Sequence, residues 1–493
     1  MSRLNGRSTY RAATVSVLAT ATALILIGSG PGSGARDEAG ASEATVSARG
    51  PYVTQPRLDP PKMVVKKNTS RASNKKIFVG SKVSGAAIYS SKGEPIWFLP
   101  SRSMDFRTQK YRGRPVLTWF QAPSSGNNLK RNTYMIANRS YKIIKRVYPG
   151  NGYSADSHEF RLTNRGTAFV TSYATRYANL SSVGLGTNAP VNDSIAQEID
   201  IRTGRVLWQW NSLSHVPIRD TYAETPRRPG NPFDYFHINS VINTPDGNIM
   251  ISGRSTNAIY KVSRRTGKII WTLGGKSSDF RMKKGAYFSS QHDAEPHGRN
   301  QVSLFDNGDS PVISKPVRSQ SRGLVLKLNY KKKTARVHRE FFNPAKPLAS
   351  QQANVQKLRN GKYFVGWGGV PLISEHAAGG KVLFDAELKG INSFYRAYRG
   401  SWNGKPKTKV SLVARRADGG RTRFWASWNG DSKVTKWRVL TGRSKGSLKK
   451  ARVRKRDGFE TTSTVPGTKP WVKVVGLDAK NRKLGSSRIV RAG

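Results

Sequence analysis

Residues 244–274 read TPDGNIMISGRSTNAIYKVSRRTGKIIWTLG, and they contain the unit from which the middle of the chain is built. An Asp-Gly turn leads into an apolar run, a second run follows, and a third run begins after Arg-Thr-Gly-Lys and ends on Trp271. Short β-branched and aromatic runs separated by Gly, Asn and Asp are typical of strands joined by tight turns. The stretch therefore predicts three short strands in succession.

The same unit recurs between about residues 77 and 390. The phrase Arg-Thr-Gly-(Lys/Arg), two aliphatic residues and Trp returns at residues 202–208, and a weaker copy covers residues 358–388. Repeats of roughly 40 to 65 residues with a Gly turn and a closing aromatic residue are typical of propeller blades, which stack radially to cover both sheet faces. We therefore predict an all-β fold with a six-bladed β-propeller over residues 77–394, and a pair of plain sandwiches is the alternative. The predicted blades begin near Ile77, Arg114, Asp156, His237, His292 and Asn354.

The pattern changes from about Tyr395 onward. Apolar runs separated by turns follow at residues 410–416, 421–429, 436–442 and 471–479. Such runs over roughly a hundred residues predict a seven-strand, Ig-like β-sandwich, which we place at residues 395–493. Its tryptophans are interpreted as core residues: Trp425, Trp428 and Trp437.

The chain of 493 residues is strongly basic, with 85 Lys and Arg against 29 Asp and Glu, and it has no cysteine. Such a charge concentrates anionic partners near the surface but does not bear on the fold. Small anionic substrates, an acidic wall polymer and an anionic membrane all fit, whereas nucleic acid is not expected because no nucleic-acid-binding signature is present. The lack of cysteine excludes disulfides, thiolate metal sites and cysteine nucleophiles.

The N-terminus has the order of a secretory signal. Arg3, Arg7 and Arg11 precede the apolar run 12–27, and small residues follow at 28–35. We expect residues 1–35 to be a signal peptide or, alternatively, an uncleaved anchor. The protein is then exported to the extracellular space or the cell envelope. The polar, Pro-containing residues 36–76 are predicted to be a linker.

Histidines at the starts of predicted blades are candidates for a shared site. His158, His237 and His292 each stand just before or at the start of an apolar strand, and the innermost strands of a propeller line its central channel. A single histidine at a strand start is more often structural, but three in the same register favour a site. Arg322 opens another strand, beside the turn at residues 306–308. No histidine cluster has metal-ligand spacing, and no G-x-S-x-G motif is present, so neither a metal site nor a hydrolase elbow is expected.

A set of motifs in this order resembles the bacterial arylsulfotransferases, in particular the actinobacterial type with a C-terminal Ig-like domain. The motifs are HEF (158–160), QEIDIRTGRVLWQW (197–210), FHINS (236–240), GRSTNAIY (253–260), GGKSSDF (274–280), QHDA (291–294), LFDNG (304–308), SRGL (321–324) and GWGG (366–369). The resemblance covers about residues 77–400. It implies an exported six-bladed propeller that moves a sulfuryl group from a phenolic sulfate ester to another phenol, through a transiently sulfated histidine and without a nucleotide cofactor.

The resemblance also implies roles for particular residues. The implied catalytic residues are His237, His292, Arg322 and His376, and the implied substrate-binding residues are Asn239, Asn307 and His158. The family's nucleophile comes last in sequence, and His376 is the histidine in that region, so it is the expected nucleophile. If His376 points away from the channel, His292 or His237 is the next candidate.

Two other functions stay open at this point. A catalytically silent propeller would hold an anionic ligand or a cell-wall polymer, with the basic sandwich as its anchor. A quinoprotein dehydrogenase is disfavoured, because it usually needs a metal site and often cysteines.

Overall fold

The computed structural model describes residues 50–124, 129–226, 228, 230–308 and 317–493. Residues 1–35 lie outside this part, so the signal peptide or anchor stays a prediction. The described part consists of 34 strands and three one-turn 3-10 helices, at Ser181–Val183, Ile218–Asp220 and Arg359–Gly361, so the all-β class is confirmed. Within these ranges no helix is long and apolar enough to cross a membrane.

The first 26 strands form six sheets. They are β1 (Lys62–Asn68); β2 (Lys76–Ser81), β3 (Gly85–Tyr89) and β4 (Pro95–Leu99) of sheet 1; β5 (Ser103–Tyr111), β6 (Arg114–Gln121), β7 (Thr133–Ala137) and β8 (Ile143–Val147) of sheet 2; β9 (Phe160–Leu162), β10 (Thr167–Ala178), β11 (Ala189–Asp200) and β12 (Val206–Asn211) of sheet 3; β13 (Ile238–Asn243), β14 (Ile249–Gly253), β15 (Ala258–Val262) and β16 (Ile269–Gly274) of sheet 4; β17 (Arg281–Met282), β18 (His292–His297), β19 (Gln301–Asp306), β20 (Arg322–Asn329) and β21 (Thr334–Phe341) of sheet 5; β22 (Asn354–Lys357), β23 (Tyr363–Gly366), β24 (Leu372–His376) and β25 (Val382–Lys389) of sheet 6; and β26 (Arg396–Gly400).

Within each sheet the strands pair antiparallel in chain order, except that the two-residue β17 pairs parallel with β21 at the outer edge of sheet 5, so that β18 is the first strand of that sheet. Two strands join sheets that lie far away in sequence. β26 pairs with β2 and becomes the first strand of sheet 1, while β1 adds to the outer edge of sheet 6 through β25. β1 therefore lies in the last sheet, and β26 returns the chain to the first one. This arrangement holds the two ends of residues 62–400 together without a covalent link.

Three of the predicted boundaries differ from the structure. β1 lies in the segment 36–76 that was predicted to be a linker, and β26 lies in the segment 395–493 that was predicted to be sandwich. Arg114, the predicted start of the second blade, begins the second strand of sheet 2 instead. The first strand of that sheet, with the sequence SMDFRTQKY, was missed because its polar side chains pair inside the fold and break the apolar pattern.

Hydrogen bonds join neighbouring sheets at or next to their first strands. The bonds are Arg107 Nη1 to Tyr398 Oη (3.2 Å), Phe160 N to Asp105 Oδ2 (3.2 Å), Ile238 N to Ser194 Oγ (3.3 Å), Asn239 Nδ2 to Gln291 O (2.7 Å), Val355 N to Asp293 Oδ2 (3.3 Å) and Asn354 Nδ2 to Ala397 O (2.8 Å). They connect each sheet to the next along the chain and connect sheet 6 to sheet 1. The six-bladed propeller stays a prediction. These hydrogen bonds show that each sheet contacts the next one and that sheet 6 contacts sheet 1.

A buried ion cluster lies between the first strands. Nη1 of Arg396 is 3.4 Å from Asp105 Oδ1, 3.3 Å from Glu159 Oε2 and 3.5 Å from Asp293 Oδ1, and Nη2 donates a 2.7 Å hydrogen bond to Asn239 O. These four ionic side chains are almost completely inaccessible to solvent. Because unpaired buried charges are costly, the cluster requires all the contributing sheets to be in place.

The last eight strands form two further sheets. They are β27 (Ser411–Ala417) and β28 (Arg421–Ser427) of sheet 7, β29 (Lys436–Gly442) and β30 (Lys449–Lys455) of sheet 8, β31 (Glu460–Pro466) of sheet 7, and β32 (Trp471–Leu477), β33 (Lys483–Ser486) and β34 (Val490–Arg491) of sheet 8. Both sheets contribute to one core, which contains Trp428 and Trp437. Trp425 is not part of this core: it is half-buried, and the guanidinium of Arg415 lies 5.4 Å from its ring centre. The Ig-like assignment stays a prediction.

We predict that Arg396→Met destabilises the protein strongly. Removing the guanidinium leaves three buried carboxylates without their shared cation, and breaking a buried ion pair costs about 3–5 kcal/mol. Chemical unfolding followed by tryptophan fluorescence measures the effect. Arg423→Met, at an exposed position of β28, is the matched control and should change the unfolding free energy by about 0.5 kcal/mol or less. Equal stability of the two variants would contradict the proposed weight of the cluster.

Asp293 makes the stability depend on pH. Burial raises the pKa of its carboxyl to about 7, although Arg396 opposes this shift. The stabilising contribution of this group is therefore full below the pKa of the unfolded chain and is lost as the pH rises through about 7. An Asn side chain imitates the protonated acid. We expect the unfolding free energy of Asp293→Asn to gain about 2–3 kcal/mol on wild type between pH 5 and pH 8. The exposed control Asp418→Asn should show a constant difference, and the same constancy in Asp293→Asn would contradict the prediction.

Candidate functional site

The candidate site lies where the first strands of sheets 3, 4 and 5 begin. His158 precedes β9, His237 precedes β13, and His292 is the first residue of β18. Tyr395 Oη donates a 3.0 Å hydrogen bond to His158 O, and Tyr173 Oη donates a 3.1 Å bond to Ile238 O. Together with the bond from Asn239 Nδ2 to Gln291 O, these bonds hold the three strand starts at one end of the sheets, which we call the upper end.

Two Asp–His pairs face each other at this end. His158 Nδ1 donates to Asp156 Oδ2 at 2.7 Å, and His237 Nδ1 donates to Asp234 Oδ2. The two ring centres are 4.9 Å apart, with the ring planes at 80°. Among the described residues, no hydrogen-bond partner of either Nε2 atom is found. Each carboxylate thus holds the Nδ1 proton and leaves the Nε2 atom available for chemistry.

The protonation states follow from burial and these partners. Burial opposes ionisation of Asp156, but the charge of His158 and its hydrogen bonds outweigh this and lower the pKa to about 2. Burial also opposes ionisation of Asp234, yet His237 lowers the pKa of that carboxyl below its usual value. Burial lowers the pKa of His237, although Asp234 opposes the shift. At neutral pH the imidazole of His237 is therefore neutral and lies beside the ionised carboxylate of Asp234.

Arg254 supplies a buried positive charge near these rings. Its backbone N–H donates a 3.0 Å bond to His237 O at the turn between β14 and β15. Burial lowers the pKa of His292 well below its usual value, and the charge of Arg254 adds to this shift. The same charge helps to lower the pKa of Asp234. The guanidinium is therefore close enough to act on the charge of both groups.

His292 lies near the two pairs but is fully engaged. Its Nδ1 atom donates to Ser290 O at 3.0 Å and to Asn307 Oδ1 at 2.9 Å, while its Nε2 atom accepts from Gln352 N at 3.2 Å. A nucleophile needs a free nitrogen lone pair, and this ring has both nitrogens occupied. Asn307 is thus brought to His292, and its substrate-binding role stays a prediction.

Asn239 lies deeper, between the histidines and the ion cluster. Its side-chain Nδ2 atom donates to Gln291 O at 2.7 Å, and its main-chain oxygen accepts from Arg396 Nη2. Its Oδ1 atom is buried and has no hydrogen-bond partner in the part of the chain that the structure describes. Asn239 therefore connects the site to the cluster and keeps one acceptor unused.

Arg322 does not have the position that sequence analysis expected. It opens the third strand of sheet 5, and its side chain is 1% exposed. Nε donates to Asp306 Oδ2 at 2.8 Å, Nη1 bonds Glu340, and Nη2 donates to Gly285 O and Tyr287 O at 2.9 and 2.8 Å. All three nitrogens are used, so this guanidinium holds the sheet together and does not offer its fork to an anion.

His376, the expected nucleophile, is also displaced from the site. It is the last residue of β24 and pairs with Tyr363, which in turn pairs with Lys357 at the far end of β22. It therefore lies at the end of sheet 6 opposite to the upper end. Its Nε2 and Nδ1 atoms bond Ser374 Oγ (2.8 Å) and Gly380 O (3.1 Å), and burial lowers its pKa to about 4. This pattern is that of a structural core histidine.

A pocket adjoins the Asp–His pairs. Its volume is about 360 Å³, and its wall includes Lys82, Arg102, Met104, Phe120, Asp156 and Tyr173. The Tyr173 ring centre is 6.0 Å from that of His158 and 6.1 Å from that of His237. An aromatic ring bound here would contact apolar and basic side chains, and Tyr173 and Asp156 of the pocket wall connect it to the two pairs.

Sequence reasoning missed several of these residues. Arg254 belongs to the motif GRSTNAIY and Asp234 precedes the motif FHINS by two residues, but neither residue was among the expected site residues. The sequence spacing did indicate the Asp–His pairs, because an acidic residue stands two positions before His158 and three positions before His237. Tyr173 and Tyr395 carry no such signal, because strand aromatics are usually core residues. Across the described ranges, no group of three or more His, Asp or Glu side chains is arranged to hold a metal ion.

Comparison with known proteins gives one strong match. A sequence model of the arylsulfotransferase (ASST) family matches residues 107–389, which is more than half of the chain. No curated protein matches the chain.

Similar solved structures are distant. A Bacteroides caccae protein of unknown function is 14% identical, with a TM-score of 0.40, over 66% of this chain and 98% of its own. A streptogramin B lyase is 8% identical (TM-score 0.34, 73% and 94% covered), and the virginiamycin B lyase of Staphylococcus aureus is 10% identical (TM-score 0.30, 84% and 96% covered). These structural similarities are too low to carry an argument, whereas the match to the family over residues 107–389 is decisive. The chain belongs to the arylsulfotransferase (ASST) family.

Proposed function

We propose that the protein is an exported aryl sulfotransferase that moves a sulfuryl group from a phenolic sulfate ester to a phenol without a nucleotide cofactor. Family membership supports an aryl sulfotransferase activity in general, with aryl sulfates and phenols as substrates. The observation that carries the finer proposal is the pair of Asp–His units whose rings are 4.9 Å apart. Two such units can divide the work of a nucleophile and a proton carrier.

The proposal includes a six-bladed propeller followed by an Ig-like sandwich. Its support is the set of six antiparallel meanders linked sheet to sheet, with β26 completing the first one. In a propeller the strand starts converge on a channel, so histidines separated by tens of residues meet there. For the C-terminal part, the support is the core shared by sheets 7 and 8.

His237 is the proposed nucleophile. Its Nε2 lone pair attacks the sulfur of the bound aryl sulfate, the S–O bond to the aryl group breaks, and the electron pair leaves with the phenolate oxygen. Asp234 keeps the Nδ1 proton and offsets the positive charge of the sulfated ring. This role passes from His376 to His237 because His376 has both ring nitrogens bonded at the opposite end of its sheet.

His158 is the proposed proton carrier. In its protonated form it gives the Nε2 proton to the leaving phenolate, while Asp156 stabilises the imidazolium through Nδ1. The neutral ring then takes the proton of the acceptor phenol, whose oxygen attacks sulfur as the S–N bond breaks. The two half-reactions balance, and His237 and His158 return to their starting states.

The charge of the transferred group is stabilised by Arg254 in place of Arg322. A sulfuryl group in a loose transition state carries charge on its peripheral oxygens, and fixed cations in a dry site stabilise that charge best. Arg254 is buried, and its charge lowers the pKa of both Asp234 and His292. The nitrogens of Arg322 are used in bonds that hold sheet 5 together. Asn239 is proposed to offer its unused Oδ1 atom to a donor near the substrate.

A second function is favoured by a different observation. His292, the third candidate ring, is engaged by protein atoms on both nitrogens, as expected of a site that binds without transfer. In that case the protein holds an anionic ligand or a cell-wall polymer. Export of the protein, through residues 1–35, belongs to both functions.

We predict that His237→Ala abolishes transfer. With a chromogenic aryl sulfate and a phenol acceptor, turnover should fall by at least about 100-fold, because the attacking nitrogen is removed. Mass spectrometry after mixing with the donor alone should find a sulfated His237 in the wild type. His338→Ala, on the outer strand β21, is the control and should keep wild-type turnover. Wild type that neither releases the phenol nor becomes sulfated would favour the silent binder.

We also predict that Asp234→Asn lowers kcat by about 100-fold or more, with a smaller effect on KM. An amide donates to Nδ1 and moves the ring proton to Nε2, so the attacking lone pair is lost. Because Asp234 raises the pKa of His237, the acid limb of the remaining activity should move to lower pH. The exposed Asp59→Asn serves as control. An acid limb that moves to higher pH would exclude this role of Asp234.

A further inference from the structure

Sheet 8 of the C-terminal region contains only one sign of charge. Its five strands include ten Lys and Arg residues and no Asp or Glu. The cations are Lys436, Arg438, Lys449, Lys450, Arg452, Arg454, Lys455, Lys473, Lys483 and Arg491. Residues 401–493 as a whole hold 25 Lys and Arg against five Asp and Glu. The density of positive charge in residues 401–493 is thus higher than in the rest of the chain.

β30 is the centre of this charge. It is an edge strand, paired on one side with β29, and all seven of its residues are exposed. Arg454 pairs with Trp437 and Arg452 with Val439, so these two cations lie toward the core side of the sheet. Lys455 pairs with Lys436 and lies on the outer face. The strand therefore presents cations on both faces of the sheet at its edge.

These charges have no internal counterion. Among the described residues, none of the ten cations is within ion-pair distance of a carboxylate; Lys436 bonds the amide of Asn481 at 2.8 Å, and Arg452 bonds Thr464 O at 2.9 Å. Repulsion among like charges opposes folding unless it is offset from outside. One or two lysines protect a sheet edge from pairing with other chains, but such protection does not require cations on the inner strands as well.

We propose that β30 binds a linear polyanionic carbohydrate, an unbranched chain with regularly repeated anionic oxygens. Alternate residues of a strand are roughly 6.6–6.8 Å apart, which places successive cations along a line. A flat lipid surface would contact one face of the sheet, whereas a polymer along the edge meets both rows of cations. A single-stranded nucleic acid needs free aromatic rings for its bases, and Trp471 of sheet 8 already has Lys445 Nζ 4.9 Å from its ring centre.

The binding strand is independent of the sulfuryl-transfer site. None of the residues of the Asp–His pairs belongs to sheet 8. A failure of one proposal therefore leaves the other intact. Binding at β30 would hold the enzyme on an anionic polymer while the upper end of the sheets stays open to small substrates.

The test uses the full chain and two probes that carry the same chemistry on different groups: heparin, which is sulfated, and a poly(glycerol phosphate). A variant with five Gln substitutions, Lys449→Gln, Lys450→Gln, Arg452→Gln, Arg454→Gln and Lys455→Gln, should bind at least one of the probes at least ten-fold more weakly. The slope of log K against log salt concentration should fall in magnitude by about 3 to 4, because five contacts to anionic groups are lost and each releases about 0.7 of a counterion. The probe that wild type prefers identifies the anionic group.

The matched control removes five exposed cations that lie outside sheet 8. Its substitutions are Lys92→Gln, Arg114→Gln, Lys142→Gln, Lys283→Gln and Lys284→Gln. This variant should keep nearly wild-type affinity, as should Arg452→Lys combined with Arg454→Lys, which retains the charge of β30. Thermal melting verifies that every variant is folded, and aryl sulfate turnover should be unchanged in all of them.

Three results would overturn the proposal. Equal weakening in the β30 and control variants would mean that only total charge matters. Equally tight binding of phosphatidylglycerol vesicles, lost in the same variant, would identify a membrane surface instead. Equally tight binding of single-stranded DNA, with the same loss, would identify nucleic acid.

Discussion

The fold depends on one buried cation. Arg396 stands on the strand that returns from the end of the sheets to the first of them, and its guanidinium lies within 3.5 Å of carboxylates from three other sheets. Its Nη2 atom reaches a main-chain oxygen of a fourth. Carboxylates buried at this depth are stable only with a partner, so the sheets cannot be rearranged independently of this residue. Hydrophobic packing between neighbouring sheets supplies most of the driving force, but it is not directional. The contacts of the ion cluster are directional, so they fix how the sheets are arranged relative to one another.

The cluster and the candidate site are built from the same short segments. Glu159 belongs to the cluster and its neighbour His158 to the site; Asp293 and His292 divide in the same way. In both segments two neighbouring side chains are thus directed to two different sets of contacts. The backbone is also turned sharply here, with φ of 53° at His237 and 56° at Asp293, a region that ordinary side chains rarely adopt. Such strain persists only where surrounding contacts fix the chain, and the cluster provides those contacts.

The sequence allowed the class of fold and the convergence of His158 and His237 to be predicted, because both follow from strand periodicity and from where strands begin. It did not allow the roles of Arg322 and His376 to be predicted, because chain order does not reveal which end of a sheet a residue occupies. In a meander the third strand ends opposite to the start of the first, and this places His376 at the wrong end. Arg322 begins its strand at the correct end, but Asp306 and two carbonyl oxygens consume its donors. Hydrogen-bond saturation of this kind depends on tertiary contacts that no local pattern encodes.

The chain separates the charge that serves the site from the charge on its surface. Around Arg396 the buried cations Arg107 and Arg161 are balanced by carboxylates, and both arginines contact Glu159. The cations around Arg396 are therefore balanced locally, although the chain carries a formal charge of +56. Such local balance matters for the proposed chemistry, since a large uncompensated field would lower the pKa of every imidazole and tighten the hold on anionic products alike. The surplus instead lies on strands such as β30, where water and salt screen it from the site. Attraction of anions to the protein and stabilisation of one anion in the pocket are thus controlled by different residues.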